Sequence, residues 1–211
     1  MPTDIVFSII VLIFSVVLHE VAHGYMANYL GDPTARLQGR LTLNPLSHID
    51  PLGSIFIPAL LVFTHSPFLI GWAKPVPYNP YNLRGNYGEA LVAFAGPATN
   101  ILLALIFGLG LRFFGGLLDP TLVSAFAIIV FINTLLALFN LIPIPPLDGS
   151  KVLSGLLPGE FGRVYDRFRE SFERLGLLVS IFIILFAFYL FSPFFFALLQ
   201  TIFGFLTGIA L

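Results

Sequence analysis

The stretch with the most chemistry is Leu18-His19-Glu20-Val21-Ala22-His23. On a helix, side chains four residues apart share a face, so His19 and His23 can turn two imidazoles toward one ion. Glu20 then lies beside that ion as a general base. Ionisable residues in an apolar span each cost about 2.5–3.5 kcal/mol at mid-bilayer unless compensated. Snorkelling at a helix end accounts for one such histidine, and poorly for His-Glu-x-x-His. Catalytic zinc takes three protein ligands and keeps one position open. The chain has no cysteine, so the third ligand must be His, Asp or Glu. The candidate is Asp148, in Asn140-Leu-Ile-Pro-Ile-Pro-Pro-Leu-Asp148-Gly149. Its prolines keep this stretch from being helical throughout, and Gly149 permits a tight turn.

Other polar residues have weaker claims. Asn140, one or two turns before the ligand stretch, is a candidate oxyanion donor or substrate-orienting amide, with helix–helix hydrogen bonding as the alternative. Asn100 is a second such candidate. It follows the small Gly96 at i+4, which favours close helix packing plus a polar contact. His48, between two proline-flanked turns near Asp50, is expected to bond backbone locally. His65 ends a short apolar run and is expected at the membrane surface. Neither is read as a metal ligand.

These residues need elements to position them, and composition says which. Of the 211 residues, 57% are hydrophobic and 10% charged, against about a quarter charged in soluble domains. The mean hydropathy is +0.95. No water-soluble fold of this length could hide that apolar surface, so the solvent is lipid. A net charge of −1 with ten basic residues also excludes a nucleic-acid binder with a basic face.

Spanning helices of roughly 20 residues fit residues 5–30, 87–114 and 121–142. Residues 175–211 carry no charge and are long enough for nearly two spans, with Ser192-Pro193 as the expected break. Residues 51–63 are short, and the proline-rich residues 71–80 read as re-entrant or extended backbone. The expected architecture is an all-α polytopic membrane protein. It has about five to six transmembrane segments, a three-helix catalytic core and an irregular segment near residues 51–80. A single domain covers residues 1–211, with core elements at about 5–30, 87–114 and 121–153. A polar loop follows at about 154–174, carrying an amphipathic helix around residues 160–174. Only Asp4 is charged before residue 18, so the first apolar run is expected to be retained rather than cleaved.

Basic residues orient the chain. If residues 51–63 enter and return to one side, nine of the ten Lys and Arg share that side, with Arg112 alone opposite. If that run is a full span, the best split is seven to three. The first arrangement places the N-terminus outside, the C-terminus and the basic loop in the cytoplasm, and the whole chain in the cell membrane. It also brings the ends of the first and fourth apolar runs to one side, where His19, His23 and Asp148 can meet.

The ordered motifs support a resemblance. His19-Glu-Val-Ala-His23, Phe94-Ala-Gly-Pro-Ala-Thr-Asn100 and Asn140 to Gly149 resemble the site-2 protease family of intramembrane zinc metalloproteases. Gly71-Trp-Ala-Lys-Pro-Val-Pro77 and Asn44-Pro-Leu-Ser-His-Ile-Asp-Pro-Leu-Gly53 look like segments of its compact bacterial and archaeal branch, which lacks PDZ or CBS modules. The likeness runs from about residue 18 to residue 153. It implies one Zn2+ held by His19, His23 and Asp148, with Glu20 as acid/base. It also implies hydrolysis of peptide bonds in transmembrane proteins or peptides. Residues 71–80 are a candidate strand against which an unwound substrate segment could pair. The alternatives from the residues alone are a divalent-cation transporter using the same ligands, and a metal-free protein that clasps a helical partner.

Overall fold

The computed structural model describes residues 2–63 and 72–209. Its long elements are α1 (Pro2–Tyr29), α4 (Gly88–Phe114), α5 (Pro120–Asn140) and α8 (Leu177–Thr207). Shorter helices are α2 (Thr34–Leu37), α3 (Ile57–Phe63), α6 (Asp148–Leu156) and α7 (Gly159–Glu173). No strand occurs among the described residues. The chain is an all-α polytopic membrane protein. In hydrocarbon every backbone donor and acceptor needs an internal partner, which a helix supplies by itself.

Among the described residues four helices are long and apolar enough to cross a membrane, against the five to six segments expected for the whole chain. Residues 51–63 form a π-helical turn, Pro51–Phe56, followed by α3, whose described part ends at Phe63. The C-terminal run is one helix that continues through Pro193. Proline removes the N–H that would serve the carbonyl four residues earlier, that of Tyr189. The Ser192 hydroxyl donates to that same Tyr189 carbonyl at 3.0 Å. The helix therefore survives where the sequence suggested a break.

The packing centre is α1, α4 and α5, each in contact with the other two, with α6 and α8 against α4. Away from the site, Ala104, Val130, Phe203 and Leu206 form a buried cluster joining α4, α5 and α8. The amphipathic α7 matches the expected helix at residues 160–174. Arg169 ties it to the start of α4 through a 3.0 Å ion pair with Glu89.

Between α1 and α4 the chain folds back in capped turns. Asn44, Asp50 and Asn79 each accept main-chain N–H bonds ahead of a following proline, a favoured start for short helices. Residues 72–79 form a non-helical strap secured at both ends. Near one end Lys74 N donates to the His48 carbonyl (2.8 Å) and Arg40 donates to the Lys74 carbonyl (2.9 Å). At the other, the buried Asp32 accepts from Asn79 N (2.7 Å), the Asn82 amide (2.9 Å) and the Thr34 hydroxyl (2.6 Å). His48 is buried and its Nε2 donates to the Thr42 carbonyl at 2.9 Å, the local backbone role expected for it. His65 and Gly71 lie outside the described residues.

Candidate metal centre

His19 and His23 sit one turn apart on α1, both buried, with ring centroids 4.7 Å apart and planes nearly perpendicular. Asp148 is the first residue of α6, delivered by the turn that ends α5. That turn is tight. A Cβ at Gly149 would lie 2.2 Å from the Leu141 carbonyl oxygen, so no other residue fits without moving backbone. The Asp148 Oδ2 atom stands 3.0 Å from His19 Nε2 and 3.3 Å from His23 Nε2. Burial pushes the Asp148 carboxyl up, but hydrogen bonds and charge from the two imidazoles outweigh it and hold it well below the ordinary carboxylate range.

The far side of each imidazole is also fixed. His23 Nδ1 donates to the Val92 carbonyl at 2.7 Å, and His19 Nδ1 bonds Asn100 Oδ1 at 2.6 Å. Gly96 of α4 faces both rings. A Cβ there would lie 2.5 Å from His23 Nε2 and 2.6 Å from His19 Nε2. The small residue expected to let helices approach also makes room for the imidazoles.

This arrangement suits a zinc ion. One ligand atom from each of His19, His23 and Asp148 falls within 4.8 Å of the others. Zinc–ligand bonds of about 2.0–2.1 Å in a tetrahedron imply ligand–ligand edges of about 3.3 Å, close to the separations seen. Two imidazoles and one carboxylate form a set that catalytic zinc uses, with a fourth position left open.

A cavity of about 190 Å³ adjoins the three residues, lined also by Glu20, Asn140 and Lys151, with room for several waters. The strap forms one wall. Val76 N donates to Glu20 Oε2 at 2.9 Å, which orients the carboxylate on the cavity wall. Asn140 lines the cavity, and its amide donates to the Leu136 carbonyl at 2.9 Å. Asn100 makes the packing and polar contact that its spacing from Gly96 favours. It is fully buried behind His19, its oxygen faces that ring and its amide nitrogen bonds Asn133, away from the cavity lining.

Sequence reasoning missed several contributors. Lys151 Nζ lies 5.1 Å from the Tyr78 ring centre, joining α6 to the strap. Burial lowers its pKa, but Tyr78 and the Asp148 charge raise it more, so the cation is held. Its i+3 spacing from Asp148 was the available signal. Asn133, buried in α5, announces itself only as a polar residue in an apolar span.

A His-His-Asp cluster beside a glutamate, among apolar helices long enough to cross a membrane, is the donor set of a zinc metallohydrolase in a membrane protein. Comparison with known proteins agrees. The profile of Peptidase family M50 matches residues 113–187. The chain is 42% identical over 158 residues to "Putative zinc metalloprotease YwhC" of Bacillus subtilis (strain 168), covering 71% of this chain and 68% of that one. It is 33% identical over 152 residues to "Putative zinc metalloprotease Rip2" of Mycolicibacterium smegmatis, covering 72% of this chain and 57% of the relative. It is 30% identical over 149 residues to the Rip2 of Mycobacterium tuberculosis, covering 71% and 56%. No solved structure matches it. The chain belongs to peptidase family M50, the site-2 protease family, and is a membrane zinc metalloprotease.

Proposed function

We propose that this protein hydrolyses peptide bonds in or near transmembrane segments of other membrane proteins. In this reading His19, His23 and Asp148 hold the zinc and Glu20 is the catalytic acid/base. The observation that carries it is the shared cavity. The three ligand atoms converge beside it, and the Glu20 carboxylate lies on its wall.

Bound zinc supplies Lewis acidity to a water molecule and to the scissile carbonyl. The chain's own residues do the rest. Glu20 takes the proton of the attacking water and returns it to the departing amine. The Val76 N–H holds one carboxylate oxygen, so the other can face the water. Asn140, on the cavity wall, is a donor available to a developing oxyanion. The strap at residues 72–79 supplies backbone groups for an unwound substrate segment, since a helical substrate shields its own carbonyls. The nine-to-one split of basic residues supports an outside N-terminus, a cytoplasmic C-terminus and residence in the cell membrane.

The test is to incubate the pure protein in detergent or bilayer discs with model transmembrane peptides, with and without a chelator. Products are then identified by mass. Cleavage that stops with chelator and returns with zinc is expected. Intact peptides across a broad panel, combined with zinc flux into sealed vesicles, would replace this reading with the transporter.

A further inference from the structure

A one-way hydrogen-bond chain runs from the imidazole of His19 to α5, each group donating to the next. Its direction follows from groups that can only accept. The Asn133 amide nitrogen donates to the Ile129 carbonyl at 2.9 Å and to the Ser15 hydroxyl oxygen at 3.0 Å. Both of its protons are thereby used. Its oxygen must then face Asn100, whose amide nitrogen donates to it at 2.9 Å. The second Asn100 proton points to the Ser15 carbonyl at 3.4 Å. The Asn100 oxygen is left to face His19 Nδ1 at 2.6 Å, and an oxygen can only accept there. Turning either amide over would set oxygen against oxygen at one of the two main-chain carbonyls. Buried where water cannot repair the mismatch, such a pair is costly. Asn100 and Asn133 are fully buried, and Ser15 and His19 nearly so.

We propose that Ser15, Asn133 and Asn100 act together as a positioning relay. They hold the His19 hydrogen on Nδ1 and so present the Nε2 lone pair to the metal. The inference rests on the reading of His19 as a zinc ligand. It assigns a task to Asn133 and Ser15, which touch neither metal nor cavity. The partner histidine needs no relay, because the Val92 main-chain carbonyl accepts directly from His23 Nδ1. An amide chain has a further advantage over a carboxylate behind His19. It orients the ring without adding another buried charge to a span that already carries Glu20.

The full-length protein, in detergent micelles, is titrated with zinc against a chromophoric chelator. Its histidines are labelled with ¹⁵N. Asn133→Leu keeps the side-chain volume and removes the relay. The expected result is zinc affinity lower by about 10–100-fold, as for lost partners of metal-bound histidines. Helicity should stay near that of the parent, with the metal-free melting midpoint lowered by the unpaired Asn100 amide. The hydrogen-bonded Nδ1–H resonance of His19 should be lost or shifted upfield. Ser15→Ala, which perturbs α1 less, should weaken zinc by about fivefold, the scale of one neutral hydrogen bond. A folded Asn133→Leu protein with parental zinc affinity and an unchanged resonance overturns the relay. If that variant does not fold, parental affinity in Ser15→Ala does so instead. His23→Ala separates the two levels: if it binds zinc as tightly as the parent, the ligand assignment itself is wrong.

Discussion

His19 Nε2 and Asp148 Oδ2 lie 3.0 Å apart although 129 residues separate them in the chain. Nothing local brings them together. The contact exists because α1, α4 and α5 pack side by side and the turn after α5 folds back on itself. Removing either end should therefore empty the site without unfolding the bundle. Asp148→Asn is expected to lower zinc affinity by more than about 100-fold, beyond the cost of losing an outer partner. Helicity should be unchanged. Metal analysis of the purified variant after dialysis checks this.

Glu20→Gln separates holding the metal from using it. The amide keeps the size of the side chain but cannot take up a proton. Turnover of a model transmembrane peptide should fall by about 10²–10⁴-fold, with zinc content within twofold of the parent. Undiminished turnover would remove Glu20 from the mechanism.

Gly96 and Gly110 lie on the same helix and make opposite predictions. A Cβ at Gly96 would overlap both imidazoles, at 2.5 and 2.6 Å, whereas one at Gly110 meets Phe126 at an ordinary 3.6 Å. Gly96→Ala should destabilise by about 1–3 kcal/mol, as overpacking does, and should abolish zinc retention. Gly110→Ala should be neutral or stabilising by up to about 1 kcal/mol, because glycine is a poor helix former. Melting midpoints and zinc content of the two variants decide.

Asp32 anchors the strap, and its titration should be visible in the strap's order. Burial pushes the carboxyl up, but hydrogen bonds from the Thr34 hydroxyl, the Asn82 amide and the Asn79 N–H outweigh it and hold it below its ordinary 3.8. The folded-state value is thus below the unfolded one. Asp32 stabilises the anchored strap fully above about pH 4 and loses that contribution as pH falls through the folded value. Limited proteolysis between α1 and α4 should rise below about pH 4. Asp32→Ala should show the same sensitivity at neutral pH and lose its acid dependence.

Much of the candidate site is legible in the sequence. Composition alone required lipid as solvent, because no fold of this length could bury so many apolar residues. His19 and His23 were paired by helical spacing, a purely local rule. Asp148 stands out as a carboxylate that follows an apolar run within a proline-stiffened stretch, on the side where the first and fourth runs end. Three-dimensional packing decided what local rules cannot reach. The break expected at Pro193 is healed by the hydroxyl of Ser192 beside it. Asn100 lies behind His19 rather than on the cavity wall, because α4 presents that face to α1 and α5. Val76 found Glu20 across 56 residues because the strap is tied down at both ends. Spacing along a helix is set by backbone geometry, which every sequence shares. Which polar groups meet between helices depends on how particular side chains interlock, and that is settled only when the whole chain is packed.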